Sequence, residues 1–308
     1  MKRRPYRHLQ PMVANYFPSL SDPHPLNLNV HMFIEDVSLQ VMPIGGRTEK
    51  HKGFEVILEG EKDECEHAAQ LIGEIGTYDR YDLKEMVCDA INEIARHLAW
   101  EGCAVYEIIA ADDATHLYSF TSKRLVRFPG WFLQFIPCKD RELWKKKWVI
   151  IPASKIWYFE MPSVLGGRRG YNGTLKKLKS FDHLAPAFWR QDLARGEQSK
   201  NFDFQLYVKN TEIHFRRVTE KWGWNRRDWS QQWSAEFFNF YKLITFRWAQ
   251  AVMRERIIAE INRLFSRLGI ACELQVSGLS TSTEILQVRH ELQSGTISFA
   301  KASDRVSV

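Results

Sequence analysis

Glu107 is the acid whose surroundings most invite chemistry. It lies inside the apolar run Cys103-Ala-Val-Tyr-Glu-Ile-Ile-Ala110, and a carboxylate drawn out of water can act as a general base. The same pattern suits an acid paired with an arginine, or one that emerges at a sheet edge. Arg168 and Arg169 stand within Gly166-Gly-Arg-Arg-Gly-Tyr-Asn-Gly173. Glycines ahead of a helix can cradle a phosphate, because the first helical amides are unpaired. The spacing matches neither the P-loop nor GxGxxG. The segment therefore reads as a flexible loop with two arginines, entering a helix at Thr174. Lys145, Lys146 and Lys147 lie between Trp144 and Trp148. Lysines beside indoles suit a nucleic-acid contact, but a charged turn with snorkelling side chains is favoured. Trp222, Trp224, Trp229 and Trp233 are interleaved with Arg226 and Arg227. They suit either base stacking or burial between subunits, and the second is favoured.

No local catalytic signature is present. His290-Glu291 is followed by Leu292-Gln293-Ser294, so the second histidine of HExxH is missing. There is no GxSxG elbow and no EF-hand calcium loop. The five cysteines (65, 88, 103, 138 and 272) show no CxxC pairing. That argues against a disulfide framework and a zinc site, and it fits a reducing compartment. No metal and no cofactor are expected.

The 308 residues, 44% of them hydrophobic, suffice for one large domain or two modest ones. A net charge of +6 is compatible with an anionic partner without requiring one. The aromatic content favours an oligomer. No run approaches the ~18 apolar residues of a membrane span, and the basic N-terminus lacks the apolar core of a signal peptide.

The element that positions everything else is the stretch Glu236–Leu268, which contains no Pro or Gly. Phe237, Tyr241, Ile244, Trp248, Ala251, Ile258, Ile261, Phe265 and Leu268 recur at helical spacing and predict one amphipathic helix of roughly 50 Å. Lys242, Arg247, Arg254, Arg256, Glu260, Arg263 and Arg267 fall mostly off that stripe, and the pattern breaks at Met253–Glu255. Upstream, residues 1–30 form a basic, Pro-rich arm. A short helix near 32–42, a strand at 54–58 and a helix at 61–75 follow. Asp82 with Glu85 opens a further helix that Gly102 stops, directly before a strand at 103–110. Five strands are expected at 117–120, 125–128, 131–136, 148–151 and 155–159. The helix from Thr174 extends, with an interruption at Pro186, to about 193. Residues 202–208 and 211–218 alternate around Lys209-Asn210 and predict a β-hairpin. A strand at 272–276 and a helix opened by a Thr281/Glu284 capping box end the chain. The fold class is α+β. Its segments are 1–30, 31–195, 196–235 (hairpin and Trp/Arg connector), 236–270 (long helix) and 271–308 (short strand and final helix).

The order of these elements resembles that of the tailed-bacteriophage portal proteins. Leu98-Ala-Trp-Glu-Gly102 followed by Ala104-Val-Tyr-Glu-Ile108 is similar to their helix, glycine and aromatic-Glu-Ile strand. Ile151-Pro-Ala-Ser-Lys-Ile-Trp-Tyr-Phe159 resembles their proline-introduced strand, and Gly166 to Leu178 their glycine loop and helix. Arg127-Phe-Pro-Gly-Trp-Phe132 resembles a segment of the Mu-like members. Residues 257–268, 274–279 and 292–298 are similar to the family's late helix, short strand and turn. The likeness covers 80–195 well and 236–300 loosely. The arm up to Pro25 has no counterpart, and no clip or crown segment can be placed.

The resemblance implies a wing-like domain over 31–195 and a stem or channel wall in the long helix. It implies a ring, typically of twelve copies, at a capsid vertex of a virion assembled in the host cytoplasm. Double-stranded DNA would pass through it. The major capsid protein, the terminase and head-completion or tail adaptor proteins would be its partners, and it would not itself be an enzyme. Arg247, Arg254, Arg256, Arg263 and Arg267 become candidates to face the DNA. Trp222, Trp224, Trp229, Trp233, Phe237, Tyr241 and Trp248 become candidates for the subunit interface. Two other readings compete. One is a monomeric or dimeric nucleic-acid-binding protein using Lys145–Lys147 with Arg226 and Arg227. The other is an enzyme built on Glu107 or the Arg168/Arg169 segment.

Overall fold

The computed structural model describes residues 28–39, 41–43, 53–76, 82–110, 115–136, 138, 141–181, 204–224 and 236–306. The N-terminal arm, the extension of the 174 helix past 181, Arg226, Arg227, Trp229 and Trp233 lie outside them. The fold is α+β, as expected, and every strand pairing is antiparallel. The chain divides into two compact units that interleave in sequence.

One unit takes residues 38–161 and 254–279. Its first sheet pairs β1 (Glu55–Gly60) with β8 (Cys272–Ser277). Helix α2 (Lys62–Gly73) follows β1, and α3 (Leu83–Glu101) follows α2. Asp82 caps α3 by accepting from the Glu85 amide at 3.1 Å. Gly102 ends it in the left-handed region at φ 73°, where its amide returns to the Leu98 carbonyl. The apolar stripe predicted for α3 is its buried face, with Val87, Ile91, Ile94 and Leu98 all inside. Strand β2 (Cys103–Ala110) is the centre of a sheet ordered β3-β2-β7, with β3 at Thr115–Ser119 and β7 at Ile156–Glu160. A second three-stranded sheet runs β4-β5-β6, from Leu125–Phe128, Trp131–Phe135 and Trp148–Pro152. The four-residue helix α4 (Arg141–Trp144) precedes β6. Cys103, Val105, Tyr118, Phe120, Phe132, Ile136, Ile151 and Ile156 close one core between these sheets.

The other unit takes residues 28–37, 162–253 and 280–306 of those described, and it is helical. It holds α1 (Leu28–Ser38), α5 (Gly167–Ser180), α6 (Phe204–Thr219), the first part of α7 (Glu236–Leu268), α8 (Ser282–Gln293) and α9 (Phe299–Val306). Phe33 of α1 meets Trp222 edge-on at 5.5 Å and Trp224 at 5.0 Å, and Tyr171 meets Trp222 at 5.3 Å. The Trp224 indole donates to the Asp36 carboxylate at 2.8 Å. A second core joins Ile244 and Ala251 to Ile285, Val288 and Leu292 of α8 and to Ala302 and Val306 of α9. Helix α8 opens on the reciprocal Thr281/Glu284 capping box.

Four expectations change. The hairpin at 202–218 is helix α6: Lys209-Asn210 lacks the glycine that a two-residue turn favours. The inward positions Thr211, Phe215 and Thr219 instead repeat every four residues, and Glu212 pairs with Arg216 one turn on. The Gly166–Gly173 loop is already helical from Gly167, since only Gly166 and Gly167 have positive φ. The linear segmentation gives way to interleaving, because β8 must reach back to β1 and α1 must cover Trp222 and Trp224. Those two tryptophans are 1% and 3% exposed within one chain, so they are core residues rather than interface residues.

Helix α7 spans the stretch read from the sequence. Its Arg254–Leu268 part buries Ile257, Ile261, Leu264 and Phe265, a stripe at steps of three and four. Its Glu236–Met253 part buries Ile244, Ala249, Ala251 and Met253, together with the polar Lys242, Thr245 and Gln250. The break at Met253–Glu255 coincides with the unit boundary.

Gly223 is the tightest point of the helical unit. Its φ is +63°, and a Cβ there would meet the Lys242 carbonyl oxygen at 2.3 Å and the Phe246 amide nitrogen at 2.7 Å. Gly223→Ala is expected to destabilise the protein by roughly 2–4 kcal/mol, combining left-handed backbone cost with overpacking. Urea unfolding checks this; a loss under about 1 kcal/mol would show that α7 can withdraw cheaply.

Candidate functional site

Glu107 sits at the middle of β2, opposite Tyr118 on one side and Ile156 on the other. It is 2% exposed and is engaged by its neighbours, so it belongs to the sheet interior. Arg168 and Arg169 fall in the first turn of α5. The Gly167 amide at the start of the helix donates to the Pro162 carbonyl at 3.0 Å, so it is not open to an anion, and Gly170 to Gly166 at 3.0 Å is the first bond of the helix itself.

The five arginines of α7 separate by environment. Arg254 is 5% exposed, and burial pushes its pKa below the usual range. Arg247 is likewise lowered by burial and donates to Gln250 at 3.1 Å. Arg267 donates to the carbonyls of Ile156 at 2.8 Å and Ala153 at 2.9 Å, and also to that of Ser154. It pins the C-terminal end of α7 to the β6–β7 connection. Arg256 and Arg263 bracket the buried Glu260 carboxylate at 2.8 and 2.6 Å. Only the Arg263 side chain is mostly exposed among these two and Glu260, at 66%. Burial sets Arg254 apart from the other candidates to face DNA, while Arg263 and Arg267 remain exposed. Helical spacing reports which residues share a face, not which face is covered.

What these side chains build is a cleft of about 540 Å³ in the first unit. Arg127, Phe128 and Tyr158 line it from the strands, and Glu260, Arg263 and Arg267 line it from α7. The Arg127 guanidinium lies 5.6 Å from the Tyr158 ring centre. Three guanidiniums against one carboxylate leave the cleft positive. The pairing of Glu260 with Arg256 and Arg263 is local to the helix, at spacings of four and three; that Arg127 joins them follows only from the fold.

The remaining interface candidates lie on α7. Tyr241 is half-buried and its hydroxyl accepts from Gln293 at 2.8 Å, while Arg289 covers the half-buried Trp248 at 5.6 Å. Phe237 is in the first turn of α7. Lys145, Lys146 and Lys147 are exposed at the turn between α4 and β6. Among the described residues no three His, Cys, Asp or Glu gather as metal ligands, and no helix is long and apolar enough to cross a membrane.

Lys242 was not singled out from the sequence, where it is one more cation off the stripe. Burial first, then the nearby Arg216 charge, lowers its pKa to about 8, against the opposing pull of Glu212. Its ammonium lies 4.9 Å from the Phe238 ring centre.

No family model and no curated protein matches this sequence. Among solved structures, one described as the neck of an empty GTA particle computed with sixfold symmetry is similar over 92% of this chain and 90% of that one. The identity is 8% and the TM-score 0.49. At those values the likeness decides nothing about function.

Two outcomes test the placement of the cations. The folded state disfavours protonated Lys242, so its cost is present below about pH 8 and fades as pH rises toward 10.5. Lys242→Met should therefore stabilise the protein near pH 7, and that advantage should shrink by pH 10; paired urea midpoints at the two pH values read it. Arg267→Ala should cost about 1–3 kcal/mol through its lost charge-assisted hydrogen bonds. The salt dependence of any DNA retention should stay unchanged, whereas a DNA-facing arginine would lower that slope by about one.

Proposed function

We propose that this chain is a structural subunit of a ring in a phage-like particle, at the capsid vertex, through which double-stranded DNA passes. The observation that supports this reading is the order of its elements. A helix closed by a left-handed glycine leads into a strand with a central Glu. An antiparallel β-rich block, a proline-introduced strand, a helix, a 33-residue helix, a short strand and a capped helix follow in turn. That order is the one by which the sequence resembles the portal proteins.

The role is mechanical rather than enzymatic. DNA contact in such a ring must be independent of sequence and weak enough to permit sliding, which charge and shape provide. Of the arginines of α7, Arg254 is buried within the subunit, while Arg263 and Arg267 stay exposed and can supply part of such contact. The capsid protein, the terminase and head-completion or tail proteins are the partners this reading requires.

The test is the native mass by light scattering, followed by negative-stain imaging. A ring of twelve would weigh about 430 kDa, from 12 × 36.2 kDa. Rings with a central hole wide enough for duplex DNA are expected. A chain that remains monomeric alone and also with capsid and scaffold proteins from the same particle would overturn the reading.

A further inference from the structure

The β4-β5-β6 sheet has two chemically different faces. Leu125, Phe132, Gln134 and Ile151 are buried beneath it. On the opposite face, the pleat and register stack apolar side chains in rows. Val126, Leu133 and Ile150 form one row, Phe128 and Trp131 a second, and Phe135 and Trp148 a third. Ile150 is 57% exposed and Trp148 51%. Phe128 and Trp131 stack in parallel at 4.1 Å. No charged side chain interrupts the rows. A continuous aromatic and branched face of this kind marks an interaction surface. Its margin is basic: Lys145, Lys146 and Lys147 precede β6, Arg124 precedes β4, and all four are exposed.

The β1–β8 ribbon of the same unit offers the opposite charge. Glu55, Ile57 and Glu59 alternate outward along β1, facing Ser277, Gln275 and Glu273 of β8. Glu59 stands directly opposite Glu273. Like charges at paired positions destabilise a ribbon, and an incoming cation would relieve them. Glu61 and Asp63, also exposed, extend the acidic face to the start of α2. Ile57, 38% exposed, supplies an apolar centre.

We propose that these two faces are the two sides of one contact between copies of this chain. The basic-rimmed aromatic sheet of one subunit receives the acidic β1–β8 ribbon of the next, with Lys145–Lys147 meeting Glu55, Glu59 and Glu273. The occupant is a second copy because the complementary charge and the apolar centre are both carried by this same unit. Two different patches make the contact heterologous, which generates rings when the rotation closes. The proposal deepens the ring reading by naming its interface, and it rests on that reading only for closure.

The test is a charge swap in the full-length chain, read by light scattering and sedimentation velocity. Lys145→Glu/Lys146→Glu/Lys147→Glu and Glu59→Lys/Glu273→Lys should each raise the concentration needed for assembly at least tenfold. Mixing the two variants, or combining all five substitutions in one chain, should restore assembly; that recovery separates repulsion from misfolding. Trp148→Ala should weaken assembly without changing its salt dependence. Wild-type rings indifferent to every one of these substitutions would overturn the interface while leaving the ring reading in place. A face-dependent species that stops at a dimer would keep the interface and overturn the ring. If Trp148→Ala abolishes binding to phosphatidylserine vesicles but leaves the assembly unchanged, the face is a membrane surface and the proposal fails.

Discussion

The pairing of β1 with β8 is the constraint on which the first unit depends. Six residues near the beginning of the described chain lie in register with six near its end, from Glu55 opposite Ser277 to Gly60 opposite Cys272. Closing so long a loop costs only slightly more than closing one half as long, about 0.6 kcal/mol per doubling. The closure is held by side chains around it. Asn262 of α7 accepts from the Leu274 amide at 2.8 Å and donates to its carbonyl at 3.0 Å. Phe54 and Leu274 are buried beneath the ribbon, and the Lys84 ammonium reaches the Phe54 carbonyl at 2.6 Å. Once β8 is fixed, the second part of α7 has its place, and Arg267 can reach the carbonyls beyond β6.

The helical unit depends on aromatic packing in the same way. Trp222, Trp224, Phe33, Tyr171 and Phe215 fill its interior at centroid distances of 5.0 to 6.0 Å. The Trp224 indole N–H finds Asp36, as a buried polar handle requires. The aromatic richness that suggests an assembly from composition alone is thus partly spent inside one subunit. Among the described residues, Phe128, Phe135 and Trp148 stay exposed on the face of the β4-β5-β6 sheet, and Phe238 and Phe299 on the helical unit.

Local rules were legible in the sequence wherever they were strong. The Asp82 cap, the Gly102 stop, the Thr281/Glu284 box and the limits of α7 follow from residue type and spacing. The five strands between 115 and 160 follow within a residue or two. What failed was the choice between periods at 204–219, where Val, Ile and Phe suit either a strand or a helix and only the buried Phe215 and Thr219 decide. The fate of the charged residues was also hidden. Arg254, Arg263 and Arg267 look alike in a helical projection, yet one is buried, one shares Glu260 and one clamps a turn. The clamp of Arg267 comes from carbonyls more than a hundred residues away and the state of Arg254 from depth of burial, whereas the Arg263–Glu260 pair is local to the helix. The apolar outer face of β4-β5-β6 was present in the letters as alternation, but alternation cannot say that both faces of a sheet are apolar until the inner one is located.

The interleaving has a consequence for how the protein is made. A ribosome adding about 5–20 residues per second delivers β8 some 10–40 s after β1. Throughout that interval β1 has an open edge and the acidic ribbon does not exist. The first unit therefore cannot mature as a domain during synthesis and must wait until almost the whole chain has emerged. A truncated product ending before α7 carries the exposed aromatic sheet and an unpaired β1, which makes it a ready aggregate. Synthesis through β8 is in this way a condition for the first unit to fold.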